Sequence, residues 1–417
     1  MIKMTNKKLK VGNVPNLRFP GFEGEWESKK LGEISSVSSG GTPSRANPLY
    51  WNGDIPWVST TLIDFNFIEK SEEYITQEGL ENSSAKLFPI GTLLMAMYGQ
   101  GKTRGKVAIL NIEATTNQAC GAIITNKEVL NPFFAFQNLV KRYDEIRDLS
   151  NQGSQENLSG GIIKGIEITF PKLSEQDKIT SFLSLIDERI QTQNKIIEQL
   201  ETLIKGLSEK LFSQKVRFKE FTDEWELKSL GEIGETFNGL SGKNKNNFGK
   251  GKPYIQYKQI FDSSRVQLEN CGLVEISKSE NQNSVRYGDI FFTISSETSN
   301  EIGMSSVLLD KVSEVYLNSF CFGYRVLSFQ ILHPLFSSYL FRSSIFRTKI
   351  IKLAQGSTRY NMSKVELLKL TISLPCEEEQ ISISQFLFTI DSKIQTEKNT
   401  LEKYHSQKEY LLHNLFI

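Results

Sequence analysis

The chain repeats itself. Arg18 to Ile34 (RFPGFEGEWESKKLGEI) aligns with Arg217 to Ile233 (RFKEFTDEWELKSLGEI) at 11 of 17 positions, where chance gives about one. A second match joins Pro171–Lys195 to Pro375–Asn399, with 11 of 25 residues identical. A third precedes each of these stretches: Gln152-Gly153-Ser154 with Asn157-Leu158-Ser159 pairs with Gln355-Gly356-Ser357 and Asn361-Met362-Ser363, with one extra residue in the second copy. A chain of 417 residues built this way is a tandem duplication, about 18–212 and 217–417. Each copy runs as a globular part followed by a long amphipathic stretch. The ends of the globular parts repeat and their middles hardly do. Two similar readers of different targets are the expectation.

The long stretches have helical period. Apolar residues fall at Ile179, Phe182/Leu183, Ile186, Ile190, Ile197, Leu200, Ile204, Leu207 and Leu211, so 32 residues from Ile179 to Leu211 take nine steps. That is about 3.6 residues per step, the mark of a helix with one apolar seam. Ser174-Glu175-Gln176-Asp177 reads as a capping box at its start. The second copy carries the seam Ile383, Phe386/Leu387, Ile390, Ile394, Leu401, Tyr404 and Leu411. Gln193 and Glu397 interrupt the two seams at the same step. A long helix with one apolar face needs a partner, and the repeat supplies one, so the two are expected to pack on each other. Two ordinary core helices are the plainer alternative.

The middles read as mixed α and β. Thr92–Tyr98 and Lys106–Leu110 are expected strands joined by a Gly-rich turn, and Asp289–Ser295 with Met304–Leu309 repeats the layout. Pro132–Asp148 and Pro334–Leu353 read as helices rich in Phe, Tyr and Arg.

Totals exclude several classes. The net charge is +1, so any nucleic-acid contact has to be local. Cys120, Cys271, Cys321 and Cys376 lie far apart with no CxxC, which argues for reduced thiols and against zinc. Met1–Lys10 is polar and basic without an apolar core, so no signal peptide is expected, and no apolar run is long enough to span a membrane. A cytoplasmic protein is the expectation. His333, His405 and His413 are the only histidines, and none stands near a Cys or paired carboxylates.

Three stretches suit nucleic acid. Ala96–Thr103 (AMYGQGKT) loosely resembles a phosphate-binding loop, but its first Gly is missing and a strand pattern, not a helix, follows. The better reading is a hairpin tip presenting Lys102, Arg104 and Lys106 to DNA phosphates. Ser241–Lys252 holds four lysines, Lys243 and Lys245 among them, with no acid. A solvated loop is the bland account, and phosphate contact the functional one. The Gly-Ser segments offer Gln152, Ser154 and Gln155 in one copy and Gln355, Ser357, Thr358 and Arg359 in the other, residues able to read base edges but also to cap helices. Thr42, Arg45 and Lys258 complete the candidate DNA-binding set.

Taken together these residues resemble the DNA-specificity subunits of type I restriction-modification systems. The likeness rests on the Trp-x4-Leu-Gly-Glu-Ile start of each half, the Gly-Ser…Asn-[Leu/Met]-Ser segment and the Pro-x3-Glu-Gln-x2-Ile-x2-Phe-Leu-x2-Ile-Asp helix opening. Gly41-Thr42-Pro43…Tyr50-Trp51…Ile55-Pro56-Trp57-Val58 is also similar to the opening of that family's target-recognition domains. The resemblance implies an α+β fold: a tail (1–17), a first target-recognition domain (18–170), a central spacer helix (171–216), a second recognition domain (217–372) and a C-terminal helix (373–417). The two helices would form an antiparallel coiled coil. The chain would read a bipartite site in double-stranded DNA and do no chemistry, with no cofactor or metal of its own. Two modification subunits would supply S-adenosylmethionine and methylate adenine, and restriction subunits would supply ATP- and Mg-dependent translocation and cleavage. A stand-alone ATPase working through Lys102, a single-chain nuclease and a coiled-coil scaffold without DNA contact are the alternatives.

Overall fold

A computed structural model describes residues 12–99, 102–149, 157–356 and 359–417. The chain divides into two compact units. One takes in the described residues up to Asn194 together with Thr400–Ile417, and the other is Lys195–Asn399.

In the first unit, the all-apolar strands Leu93–Ala96 and Val107–Leu110 are buried along their whole length. They pair antiparallel, as expected, and sit inside a five-stranded sheet. Its order is Ser35–Ser39, Cys120–Thr125, Leu93–Ala96, Val107–Leu110, Phe67–Ile68. A smaller sheet places Trp51–Val58 between Glu73–Ile75 and Thr115–Thr116. The expected helix 132–148 is broken into Pro132–Lys141 and Tyr143–Asp148. A ribbon of Glu27–Lys30 against Glu167–Phe170 ties the start of the unit to its end.

The second unit repeats the plan. Its main sheet runs Gly234–Asn238, Cys321–Val326, Ile290–Thr293, Ser305–Val307, and Phe248–Ile255 lies between Gly272–Val274 and Tyr316–Leu317. Glu226–Ser229 pairs with Thr371–Leu374 in the register of the first ribbon. The expected helix 334–353 is likewise split, into Pro334–Leu340 and Ser344–Ile351.

The long helices are Leu173–Phe212 and Glu377–Leu415. They run antiparallel: Asp187 pairs with Lys408 at 2.6 Å and Glu201 with Lys398 at 2.6 Å, so rising numbers on one meet falling numbers on the other. Inside the first unit, Ile179, Leu183 and Ile186 share a core with Leu411, Leu412, Leu415 and Phe416. Inside the second, Leu211 and Phe212 share a core with Ile383 and Leu387. Ile197 and Ile394 are also buried, and Ile190 and Ile204 pack on the two cores half-buried.

Two seam residues lie elsewhere. Phe182 meets Phe19 edge-to-face at 5.5 Å and Phe386 meets Phe218 at 5.8 Å, so both aromatic rings clamp the repeated Arg-Phe segment while Leu183 and Leu387 hold the seam. Leu200, Ile390, Leu401 and Tyr404 are half-exposed and belong to neither core.

The expected capping box also has other work. Helix begins at Leu173, so Ser174 lies within its first turn. Glu175 receives both arms of Arg18 at 2.7 Å, and Glu379 receives Arg217 at 2.7 and 2.9 Å. Gln176 donates to the carbonyls of Val129 and Pro171 and accepts from the amide of Asn131. Gln380 does the same with Ile331, Pro375 and His333. The Glu-Gln pair therefore pins each globular part to its helix.

Candidate nucleic-acid interface

Each unit gathers loops at one end of its main sheet. In the first, Gly41 N–H donates to Thr116 O at 2.8 Å. A Cβ on Gly40 would stand 2.1 Å from that same oxygen, so only glycine fits. Gly239 takes the matching place in the second unit, where a Cβ would stand 2.2 Å from Asn318 O. Both glycines press on a turn that is also duplicated. Ala119 N–H donates to Asn117 Oδ1 at 3.1 Å, and Phe320 N–H to Asn318 Oδ1 at 2.8 Å. Thr42 joins the first turn through a hydroxyl bond to Gln118 at 2.5 Å.

Several candidate cations turn out to be braces. Arg45 lies 3.6 Å over Trp51 and 4.9 Å over Trp57, with its fork on Glu73. The indoles donate to Ser44 O and Gly41 O, so this knot fixes the 41–51 loop. Arg45 holds the Glu73 carboxyl below its ordinary range through that hydrogen-bonded pair. Arg104 is buried, 6% exposed, rather than presented at the tip. Lys106 pairs with Asp64 at 2.5 Å. Lys102 stays exposed at the hairpin tip, where Tyr143 Oη donates to its carbonyl at 2.5 Å. The strand Val107–Leu110 follows this tip, so the phosphate-loop alternative lacks its helix N-terminus.

The basic loop 241–252 is neutralised by acids distant in sequence. Lys243 is nearly buried against Glu280, Lys250 pairs with Glu275 at 3.0 Å, and Lys252 with Glu314 at 2.5 Å. Hydrogen bonds from Lys243 and Gln282 pull the Glu280 carboxyl down to about 2. Lys245 remains exposed on a short turn capped by Asn244.

The second unit brings two candidates together that the sequence held far apart. Lys258, with its side chain 83% exposed beside Asp262, and Arg359 line one recess of about 780 Å³. Tyr257, Phe261, Asp262, Ser295, Ser296, Glu297 and Glu301 complete its wall. Gln355 and Asn361 exchange backbone bonds at 3.0 and 2.8 Å beside Arg359. Arg359 Nη2 donates to Ser295 Oγ at 3.3 Å. Behind this recess Arg342 donates to the carbonyls of Ile260, Phe261, Ser263 and Ser305, and Arg347 to those of Asn300, Ile302 and Gly303. Burial lowers the Arg342 guanidinium to about 10. Gln152, Ser154, Gln155, Ser357 and Thr358 lie outside the described residues.

Sequence reasoning missed the wall residues Tyr257 and Ser295. One signal was present: Asn117-x-x-Cys120 recurs as Asn318-x-x-Cys321, marking the turns that frame both sites.

A duplicated α+β unit joined to paired long helices, with each site on loops at a sheet end, defines a tandem specificity-domain protein. The chain belongs to the type I restriction modification DNA specificity domain family, whose model matches it twice, over residues 23–202 and 222–403. It is 30% identical over 243 residues to the type I restriction enzyme MjaIX specificity subunit of Methanocaldococcus jannaschii, a match covering 54% of each chain. It is 32% identical over 170 residues to the EcoR124I/EcoR124II specificity subunit of Escherichia coli, covering 40% of this chain and 42% of that one. The matched part thus spans about half the length of these relatives or less. The MjaVIII specificity subunit of M. jannaschii is 21% identical over 406 residues, covering 94% of this chain and 92% of that one. In fold, the S subunit of a type I system from M. genitalium superposes with a TM-score of 0.60 at 17% identity, covering 97% of this chain and 99% of the other.

Proposed function

We propose that this protein is the specificity subunit of a type I restriction-modification complex and reads a bipartite site in double-stranded DNA. The observation that carries the reading is one frame built twice around different loops. Arg18–Glu175 and Arg217–Glu379 repeat the same two-pronged pair, while Thr42, Trp51 and Lys102 in one site give way to Lys258, Ser295 and Arg359 in the other. A duplicated support with unlike reading surfaces suits two unlike half-sites better than one symmetric ligand. Lys102, Lys245 and Lys258 would meet phosphates, and Arg359 and Gln355 would meet base edges.

In this reading the chain carries out no chemistry. Two modification subunits bring S-adenosylmethionine and methylate adenine, and restriction subunits bring ATP- and Mg-dependent cleavage. The setting is cytoplasmic, and no helix among the described residues is long and apolar enough to cross a membrane. The test is methylome sequencing of cells with and without the gene. One bipartite adenine-methylated motif should vanish on deletion and return on complementation. An unchanged methylome in cells whose modification subunits are expressed overturns the proposal. In the reconstituted complex, Lys102→Ala should weaken binding to all sequences and lower the salt slope by about one.

A further inference from the structure

The duplicated turns carry one difference that the frame does not explain. Asn117 and Asn318 organise the same backbone: Cys120 N–H and Cys321 N–H return to the Asn carbonyls at 3.2 and 3.1 Å. Met97 N–H donates to Ala119 O at 2.8 Å, and Ile294 N–H to Phe320 O at 3.1 Å. The turns are thus equivalent atom for atom along the main chain. The third position holds Ala119 in one and Phe320 in the other. Phe320 is 58% exposed, a large apolar ring held out on a turn fixed from both sides.

Its surroundings identify what the ring suits. Phe320 lines a cavity of about 320 Å³ with Ile294, Ser295, Ser319, Arg359 and Asn361. Hydroxyls, an amide and a guanidinium therefore stand around one exposed ring, and the recess holding Lys258 shares Ser295 and Arg359 with this cavity. Glu301 accepts the Thr298 hydroxyl at 2.8 Å, which keeps one nearby acid engaged. A hydrophobic protein partner would want a contiguous apolar patch. A nucleobase wants a flat apolar face beside donors for its edge and a cation near its phosphate, and this cavity offers Phe320, the polar groups of Ser295 and Asn361, and Arg359, with Lys258 in the adjoining recess.

We propose that Phe320 is a base-stacking wedge, inserted beside a base step in the half-site read by the second unit and absent from the first. Apolar wedges of this kind partly unstack a step and kink the duplex. The proposal rests on the DNA-reading function above, and its test separates the two. The complex with its modification subunits is bound to its methylome-defined target. 2-Aminopurine is placed in turn at positions beside, and never at, the methylated adenines. Fluorescence should rise at one step of the half-site that changes when residues 217–372 are exchanged, and at no step of the other. Phe320→Ala should abolish that rise and weaken binding about five-fold or more, while Phe320→Trp retains the rise. The ring is exposed, so neither change should disturb folding, and an unaltered melting temperature checks this. A rise that persists in Phe320→Ala, or no rise in a complex that binds its target, overturns the wedge and leaves the DNA reading standing. Failure of the unmodified complex to bind any DNA overturns both.

Discussion

Arg18 and Arg217 perform one task twice. Each guanidinium spans a carboxylate on the first turn of a long helix, and the Glu379 side chain is 1% exposed. Trp225 Nε1 adds a bond to Glu379 at 3.2 Å. Removing the cation leaves a buried carboxylate without its main partner, which is destabilising. Arg217→Ala should therefore lower the urea midpoint strongly, whereas the double change of Arg217 and Glu379 to Met should restore most of it. Equal damage from the single and double variants would show that packing, not charge, sets the cost. The cysteines give a second residue-scale test. Burial pushes the Cys120 thiol up to about 12 and the Cys321 thiol up as well, while Cys376 is exposed. Maleimide at pH 8 should label Cys376 in the native protein, and Cys120 and Cys321 only after unfolding, because the thiolate is the nucleophile. Labelling of native Cys120 at the rate of Cys376 contradicts this burial.

At the scale of elements, the helix pair separates seam from surface. Leu387 is fully buried and Leu203 is 49% exposed, although both sit on long amphipathic helices. Leu387→Ala should cost about 2–5 kcal/mol, and Leu203→Ala should stay within about 0.5 kcal/mol. Similar melting temperatures for the two variants would place the seam elsewhere. Periodicity made the helices, their seam and the paired strands 93–96 and 107–110 legible, since backbone period and burial are local properties. It could not distinguish Phe182 from Leu183, because adjacent residues at the edge of a seam both satisfy the period. Charge pattern misled more. Lys243, Lys250 and Lys252 look like a phosphate loop until Glu280, Glu275 and Glu314, distant in sequence, are brought against them. Arg104 looks exposed for a similar reason, since the hairpin pattern does not show which side faces the core, and the structure buries it. The meeting of Lys258 with Arg359 depends on tertiary closure and was not readable from the chain.

At the scale of the whole molecule, each reader is tied to the helices by backbone-directed bonds and by side-chain bonds. Gln176 bonds only main-chain groups at Val129, Asn131 and Pro171, so a different loop sequence leaves them intact. The side-chain ties include Arg18 to Glu175, Asn131 to Asp177 at 2.8 Å, Gln137 to Asp187 at 2.9 Å, and the Phe19–Phe182 and Phe134–Phe416 contacts at 5.5 and 4.8 Å. Lys141 adds a bond to Phe416 O at 2.9 Å. None of these residues belongs to the loops proposed to meet DNA. Replacing residues 18–170 by the same region of a relative, while keeping Arg18, Phe19, Asn131, Phe134, Gln137 and Lys141, should therefore give an active complex. Its methylated motif should differ in one half-site and keep the other base for base. The same graft with Gln137→Ala and Phe134→Ala should lose stability, since large-to-small changes at a buried Phe cost about 3–5 kcal/mol. Methylome sequencing reads the first outcome and thermal melting the second. A graft that is active but alters both half-sites would mean that the two units do not read separately, and a graft that retains the original motif would place target recognition outside residues 18–170.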